Sequence, residues 1–131
     1  MELSGAAFLP DPDASVHGPV TFEWIEQGAA LVMRMGGGGT PTATWIIGRD
    51  DSESDYCVLY TDDRGVSRVY RMSFSDRTWR MWRDTPEFAQ RFAAEVSPSQ
   101  AEITGSWHKS ADGGKTREHD FMVHYSRLAP R

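Results

Sequence analysis

The sequence predicts an all-β protein, an antiparallel up-and-down β-barrel of about nine strands. From Val20 onward, short apolar runs recur at a spacing of about 8–12 residues, which is typical of sandwiches and barrels. Turn signals separate the runs, and no interval has room for the crossover helix that neighbouring parallel strands require. Closing such a meander into a barrel removes the two unpaired edges that an open sheet would expose.

Most strands follow from alternating apolar residues bounded by turns. We predict strands over Val20–Trp24, Ala29–Met35, Thr42–Gly48, Tyr56–Thr61, Val66–Ser73, Thr78–Arg83, Glu102–Ser110 and His119–Arg127. The turns between them include Gly36–Gly39, the acidic loop Asp50–Asp55, Asp62–Gly65, Ser75–Arg77 and Ala111–Gly114. Their Gly, Asp and Ser residues favour tight changes of direction.

The segment over residues 85–96 carries two conflicting patterns. Thr85-Pro86-Glu87 is typical of a helix start, and Phe88 and Phe92 have the spacing of one helical face. The same segment also alternates as a strand would, through Phe88, Gln90 and Phe92. We predict a strand, because a lone short helix would interrupt the meander.

Length and composition indicate one globular domain. The chain has 131 residues, of which 39% are hydrophobic and 25% are charged. Residues 1–19 contain several Pro and Gly residues without a sustained period, so we predict an irregular N-terminal arm there. Residues 20–131 form the predicted barrel domain.

Charge and cysteine usage narrow the class of function. Cys57 is the only cysteine, which favours a reducing compartment, and we expect a cytoplasmic protein. We expect no targeting segment and no membrane span, because no apolar run is long enough. A net charge of −5 disfavours nucleic-acid binding. The arginines between Arg64 and Arg91, with Trp79 and Trp82 among them, are therefore interpreted as a solvated outer face.

The period of two sorts each strand into an inward and an outward face. With the larger apolar set inward, the polar side chains that line the interior or its rims are Arg68, Tyr70, Arg83, Gln90, Tyr125 and Arg127. A buried guanidinium needs a partner, and Arg binds carboxylate or phosphate through two hydrogen bonds, so the set predicts an anion site. The alternative is pairing of these arginines with Glu23, Asp84, Asp120 or backbone carbonyls, with Arg127 lying over Trp24 at the barrel end.

The inward faces also predict apolar walls for a cavity. These are Trp24, Trp45, Tyr60, Met72, Trp79, Phe92 and Phe121. We therefore expect a protein that binds a small apolar or amphipathic molecule, with or without a carboxylate group, in its central cavity. Arg68, Tyr70, Gln90, Tyr125 and Arg127 are the expected polar contacts.

Five ordered motifs also carry a family resemblance. They are Trp45-Ile46-Ile47-Gly48-x-Asp50, Tyr60-x-Asp62-x-Arg64-Gly65-Val66-x-Arg68-Val69-Tyr70-x-Met72, Trp79-x-x-Trp82-Arg83-Asp84-x-Pro86-x-Phe88-x-Gln90-Arg91-Phe92, Ile103-x-Gly105-x-Trp107-x-x-Ser110-x-Asp112-Gly113 and Asp120-Phe121-x-x-x-Tyr125-x-Arg127. In order and spacing they resemble a family of small bacterial lipocalin-like proteins. The resemblance implies a calycin-type β-barrel with a cavity, related in fold to lipocalins, fatty-acid-binding proteins and nitrobindins.

The resemblance implies one feature of ligand binding, and the chain departs from the family pattern at two places. Arg68-x-Tyr70 is similar to the pair with which fatty-acid-binding proteins hold a carboxylate. The chain lacks the Gly-x-Trp stretch that usually precedes Val20 in the family, and it has Lys115-Thr116-Arg117 where the family often carries Trp.

The histidines do not indicate a metal site. With one cysteine there is no Cys-rich ligand set, and His119 and His124 are spaced to point to opposite faces of a strand. Nitrobindins hold haem through one His on a late strand, and His124 lies on the last strand here. The alternation nevertheless turns His108 and His124 outward, so we predict no cofactor and keep haem binding as an alternative.

Whether the protein is an enzyme is left open by the sequence. No nucleophile elbow or phosphate loop is present. One alternative is a small-barrel cyclase or isomerase of a polyketide- or polyene-like substrate, acting by confinement and by Tyr or Arg contacts. Another is a structural protein, whose cavity is filled by its own side chains and whose barrel edge forms a homodimer.

Overall fold

A computed structural model describes residues 1–4, 15–37 and 40–128, and almost every element in it is a strand. The elements are β1 Glu2–Ser4, β2 Ser15–His17, β3 Val20–Ile25, a 3-10 turn over Glu26–Gly28, β4 Ala30–Gly37, β5 Thr40–Arg49, β6 Tyr56–Asp62, β7 Ser67–Ser75, β8 Thr78–Asp84, β9 Ala89–Val96, β10 Glu102–Ser110 and β11 Glu118–Ser126. The all-β class is therefore confirmed.

The strands form a single curled sheet. From β3 to β11 each strand pairs antiparallel with the next in the chain, which makes nine strands in up-and-down order. The short strands continue the sheet beyond β11, in the order β11-β1-β2. Among the described residues β3 and β2 are the outermost strands and do not pair with each other. The predicted antiparallel up-and-down barrel is confirmed, with a sheet curled strongly enough to enclose a core.

The register explains how the core is assembled. Partner residues across an antiparallel pair point to the same face of the sheet. Met81, Phe92, Trp107 and Phe121 are such partners on β8, β9, β10 and β11, so they form one inward row. Their neighbours in sequence face outward, as the period of two predicts.

The disputed segment is a strand. β9 begins at Ala89 and pairs with β8 on one side and β10 on the other. Residues 85–88 form the connection, and Thr85 Oγ1 donates to the carbonyl oxygen of Phe88 at 2.5 Å. Backbone pairing along both edges outweighs the local helical spacing of Phe88 and Phe92, so the strand prediction is confirmed.

The N-terminal arm is more regular than predicted. β1 pairs with both β11 and β2, and it places Leu3 opposite Val123. The Met1 ammonium donates to the carbonyl oxygen of Gly18 at 2.9 Å. These two three-residue strands are too short to show a period, which is why the sequence gives no sign of them. Residues 5–14 of the arm, and residues 38 and 39 of the Gly36–Gly39 turn, lie outside the described residues.

The β7–β8 turn is formed without glycine. Asp76 and Arg77 take φ values of 50° and 63°, the left-handed region that suits a two-residue hairpin turn. Asp tolerates this region better than most residues, which fits the turn predicted over Ser75–Arg77.

Within residues 1–4, 15–37 and 40–128, no helix has the length and apolar character needed to cross a bilayer.

Candidate functional site

A cavity of about 530 Å³ lies on the concave face of the sheet. This volume falls within the range of sites that hold small molecules. Strands β4 to β11 contribute to its lining, which includes Met33, Met35, Thr42, Ala43, Trp45, Tyr60, Asp62, Asp63, Arg64, Arg68, Tyr70, Met81, Phe88, Gln90, Trp107, Lys109, Asp120, Phe121, Val123 and Tyr125. The cavity reaches the surface at the end lined by exposed Asp63 and Arg64, which we call the mouth.

Four aromatic rings form a continuous wall of the cavity. The ring centroid of Trp45 lies 4.5 Å from that of Tyr60, 5.3 Å from Tyr70 and 5.7 Å from Trp107. Tyr70 and Trp107 meet edge to face at 5.6 Å. Mutually packed rings lose little freedom on binding, so the wall is preformed for an apolar ligand.

The mouth is organised by the carboxylate of Asp62. Its Oδ2 accepts hydrogen bonds from the Tyr60 hydroxyl at 2.8 Å and from Arg64 Nη2 at 2.6 Å. Its Oδ1 accepts from the backbone N–H of Arg64 at 3.0 Å and of Val66 at 3.2 Å. These bonds, Arg64 first, hold the pKa of Asp62 well below its usual range. Burial and the bond to Asp62 raise the pKa of Tyr60 to about 12, so Tyr60 stays a neutral donor.

Arg68 is a half-buried cation of the cavity lining. Its Cζ lies 4.6 Å from the ring centroid of Phe88 and 5.9 Å from that of Tyr60. Within the described part of the chain it forms no ion pair with a carboxylate. Its charge also acts on the buried Tyr70 hydroxyl, whose pKa is raised by burial and lowered in part by Arg68. Two aromatic faces thus hold a guanidinium whose charge is left available.

The expected internal partners of the inward arginines are engaged elsewhere. Glu23 pairs with Arg34 at 2.8 Å, and Asp84 pairs with Arg91 at 2.6 Å. Asp120 lies 3.8 Å from Lys109. None of the three acids predicted as alternatives therefore neutralises Arg68.

Arg83 has a different role from Arg68. Its Nε donates to the carbonyl oxygen of Phe88 at 3.1 Å, and its Nη2 donates to Thr85 Oγ1 at 3.1 Å. Both partners belong to the β8–β9 connection, so Arg83 holds this loop. That loop carries Phe88, the ring that packs on Arg68.

Polar groups also lie deeper in the cavity. The Tyr70 hydroxyl donates to Gln90 Oε1, and both residues are buried. Asp120 lines the cavity beside Lys109, and burial raises the pKa of its carboxyl in spite of that cation. Burial also raises the pKa of Tyr125 well above its usual value.

The structure brings six of the nine predicted contact residues together around the cavity. Arg68, Tyr70, Gln90, Tyr125, Trp45 and Tyr60 all line it. Of the other predicted walls, Phe121 also lines it, whereas Met72 and Phe92 do not belong to its lining. Met72 packs against the core, and Phe92 is buried within it.

Three predicted contact residues lie elsewhere. Trp24 is 68% exposed because β3 is an outermost strand, so no described neighbour covers its ring. Arg127 follows the end of β11 and is exposed, and its backbone N–H donates to the carbonyl oxygen of Ala101. Trp79 is buried beyond the cavity, 4.8 Å from Phe92 and 6.1 Å from Tyr125 between ring centroids.

Sequence reasoning missed Lys109 and Asp120. A β-bulge shifts the β10–β11 register between Trp107 and His108, so Trp107 pairs with Phe121 while His108 pairs with His119. The extra residue in β11 is Asp120, which joins Phe121 in the cavity lining. A bulge breaks the period of two, which is why alternation could not place Asp120. Lys109 follows the alternation, two residues beyond the inward Trp107 and paired with the inward Gln90, and its polar character alone kept it off the list of inward residues.

The same bulge corrects the histidine prediction. His119 pairs with His108, with ring centroids 5.5 Å apart, and so lies on the same outer face as His124 instead of the opposite one. None of these histidines lines the cavity. Among the described residues no group of three His, Cys, Asp or Glu side chains is placed to hold a metal ion.

The fold and site define a class: an antiparallel up-and-down barrel whose aromatic cavity is sized for a small molecule. No protein-family model and no curated protein matches the sequence.

Proposed function

We propose that the protein binds a small amphipathic molecule in its cavity, with an apolar body and a carboxylate or similar anionic group. The observation that carries the proposal is Arg68, a half-buried cation that lines an aromatic cavity and has no carboxylate partner among the described residues. A guanidinium removed from water without a partner is costly, and an anionic ligand would offset that cost.

The surroundings of Arg68 support an amphipathic ligand over a purely polar one. Polar side chains of the lining lie at Arg68, in the Asp62 cluster at the mouth and, deeper, at Gln90, Lys109 and Asp120. Most of the remaining lining consists of rings and methionines such as Trp45, Trp107 and Met33. Burial of an alkyl or ring body against these side chains contributes about 25 cal/mol for each Å² removed from water. The apolar wall supplies affinity, and Arg68 selects the charge and orientation.

The experiment compares decanoate with 1-decanol by calorimetric titration of the purified protein. We expect decanoate to bind at least about tenfold more tightly, since a hydrogen bond to a charged group contributes about 1.5–3 kcal/mol. Arg68→Gln should remove that preference, weakening decanoate and leaving decanol unchanged. Arg68→Lys should restore part of it.

Arg49→Gln is the matched control, because Arg49 is exposed at the end of β5 and does not belong to the cavity lining. It removes the same charge and should leave both affinities unchanged. Equal affinities of wild-type protein for the two ligands would overturn the anionic part of the proposal. Absence of binding by both would overturn the cavity as an apolar site.

Asp120 favours a second candidate function, an isomerase of an unsaturated carbonyl compound. Its carboxyl lines the cavity, and its pKa is raised by burial, which suits a group that takes and returns a proton. It would remove the proton α to the carbonyl of a β,γ-unsaturated ketone and return it at the γ carbon. Ultraviolet absorbance of the conjugated product would report turnover, which Asp120→Asn should abolish.

We further propose that the barrel is of the lipocalin-like calycin type and acts in the cytoplasm of a bacterium. The support for the type is the up-and-down order of the nine main strands around a cavity. The support for the compartment is the single, exposed Cys57 thiol.

A further inference from the structure

A second depression lies on the outer face of the sheet, over β8, β9 and β10. Its volume is about 340 Å³, and the outward side chains that line it are Arg80, Trp82, Arg91, Ala93, Ser106 and His108. We call it the outer groove. The sheet separates it from the cavity that Arg68 lines.

The register explains why a groove forms here. Trp82, Arg91 and His108 are partners in one row across three strands. The next row contains Arg80, Ala93 and Ser106. Because Ala93 and Ser106 are small, the second row leaves a depression between the long side chains around it.

The charge in the groove is incompletely paired. Arg91 Nη2 bonds Asp84 Oδ1 at 2.6 Å, while its Nη1 is buried and has no hydrogen-bond partner among the described residues. Arg80 is exposed and forms no ion pair within the described part of the chain. The nearby acid Glu95 accepts from Thr78 Oγ1 at 2.7 Å. Arg91 is therefore paired with one carboxylate, whereas Arg80 has no carboxylate partner within the described part of the chain.

We propose that the outer groove is a second binding site, for an oxyanion carried on a planar ring. Arg80 and Arg91 would bind the phosphate or carboxylate oxygens through charge-assisted hydrogen bonds. The half-buried ring of Trp82 offers a face for the planar group. Ser106 and His108 add donors at the β10 side of the groove.

The experiment is a titration of the ¹⁵N-labelled protein with phenyl phosphate, benzoate and phenol, followed by backbone amide shifts. We expect phenyl phosphate to shift amides of β8–β10 around Arg80, Arg91 and His108. From the same titration, we expect the affinity for phenol to be at least about tenfold lower. Benzoate distinguishes a carboxylate from a phosphate as the ligand's anionic group. If benzoate and phenyl phosphate bind with equal affinity, the groove is a general oxyanion site. If benzoate binds more weakly, the groove is a phosphate site.

Arg80→Gln should weaken the binding of phenyl phosphate about tenfold or more, because it removes a hydrogen bond to a charged group. Since Arg80 is exposed, its replacement should not disturb the core. Arg49→Gln again removes one exposed positive charge, away from the groove, and should leave the affinity unchanged. The proposal is overturned if phenyl phosphate produces no localised shifts, if the shifts map to the cavity, or if the two variants weaken binding equally.

Discussion

The two ends of the barrel interior differ in packing, although inward and outward side chains alternate in the same way along the strands at both ends. At the closed end Trp79, Phe92 and Ala94 are buried and in one cluster, and Gly105 lies against Ala94. At the mouth the inward positions carry polar or half-buried groups, and a cavity remains. A period of two therefore specifies which side chains face inward, while their volume and polarity decide whether the interior is filled.

The polar groups at the mouth are held by local partners. Asp62 fixes Tyr60 and Arg64, and Arg83 fixes the loop that carries Phe88. Fixed neighbours restrict how the cavity can collapse onto itself. The mouth thus keeps its space by hydrogen bonding, whereas the closed end gains stability by packing.

Truncation of one phenylalanine at each end gives the largest contrast. Phe92→Ala should lower the free energy of unfolding by about 3–5 kcal/mol, because it removes a ring packed on Trp79 and Trp107 and leaves a void. Phe88→Ala, at the half-buried mouth position, should cost about 1 kcal/mol. Urea unfolding measures both, and equal losses would contradict the division into a closed end and a mouth.

A single added carbon probes how tightly the closed end is packed. A Cβ at Gly105 would lie 2.5 Å from Ala94 Cβ and 2.6 Å from the carbonyl oxygen of Ala93. Gly105→Ala should therefore cost about 1–3 kcal/mol through overpacking. In the control Gly48→Ala the nearest atom is Cys57 Sγ at 4.0 Å, so stability should stay constant or rise by about 0.5 kcal/mol. Thermal unfolding of the two variants measures this difference in stability. If Gly105→Ala is as stable as the wild-type protein, the closed end is not closely packed around Gly105.

The smallest effect is a pH dependence at the mouth. The pKa of Asp62 is depressed in the folded protein, so its carboxylate stabilises the fold above its unfolded pKa, about 3.9, and loses this effect as the pH falls through the folded pKa. Asp62→Asn should be less stable than wild type at pH 7, and the gap should narrow below about pH 4. Asp63→Asn, an exposed neighbour, should show no such gap in urea unfolding at either pH.

The fold and much of the cavity were predictable because alternation and burial agree along most strands. Arg68, Tyr70 and Gln90 follow the period of two into the cavity lining, as predicted. Trp24 does not line the cavity, because it lies on an outermost strand. How far such a strand is exposed depends on closure of the whole sheet, which no local sequence pattern encodes. Asp120 was missed for a different reason, since a bulge is a pairing event between two strands.

The aromatic wall has an optical consequence. The ring centroids of Trp45 and Trp107 lie 5.7 Å apart with an interplanar angle of 29°, and those of Tyr60 and Tyr70 lie 6.4 Å apart. At such separations the electronic transitions of the rings couple, and tyrosine excitation passes efficiently to tryptophan. A molecule entering the cavity would lie against these chromophores and change the near-ultraviolet circular dichroism and the emission spectrum. The barrel therefore carries an intrinsic reporter of its own occupancy, readable without any attached dye.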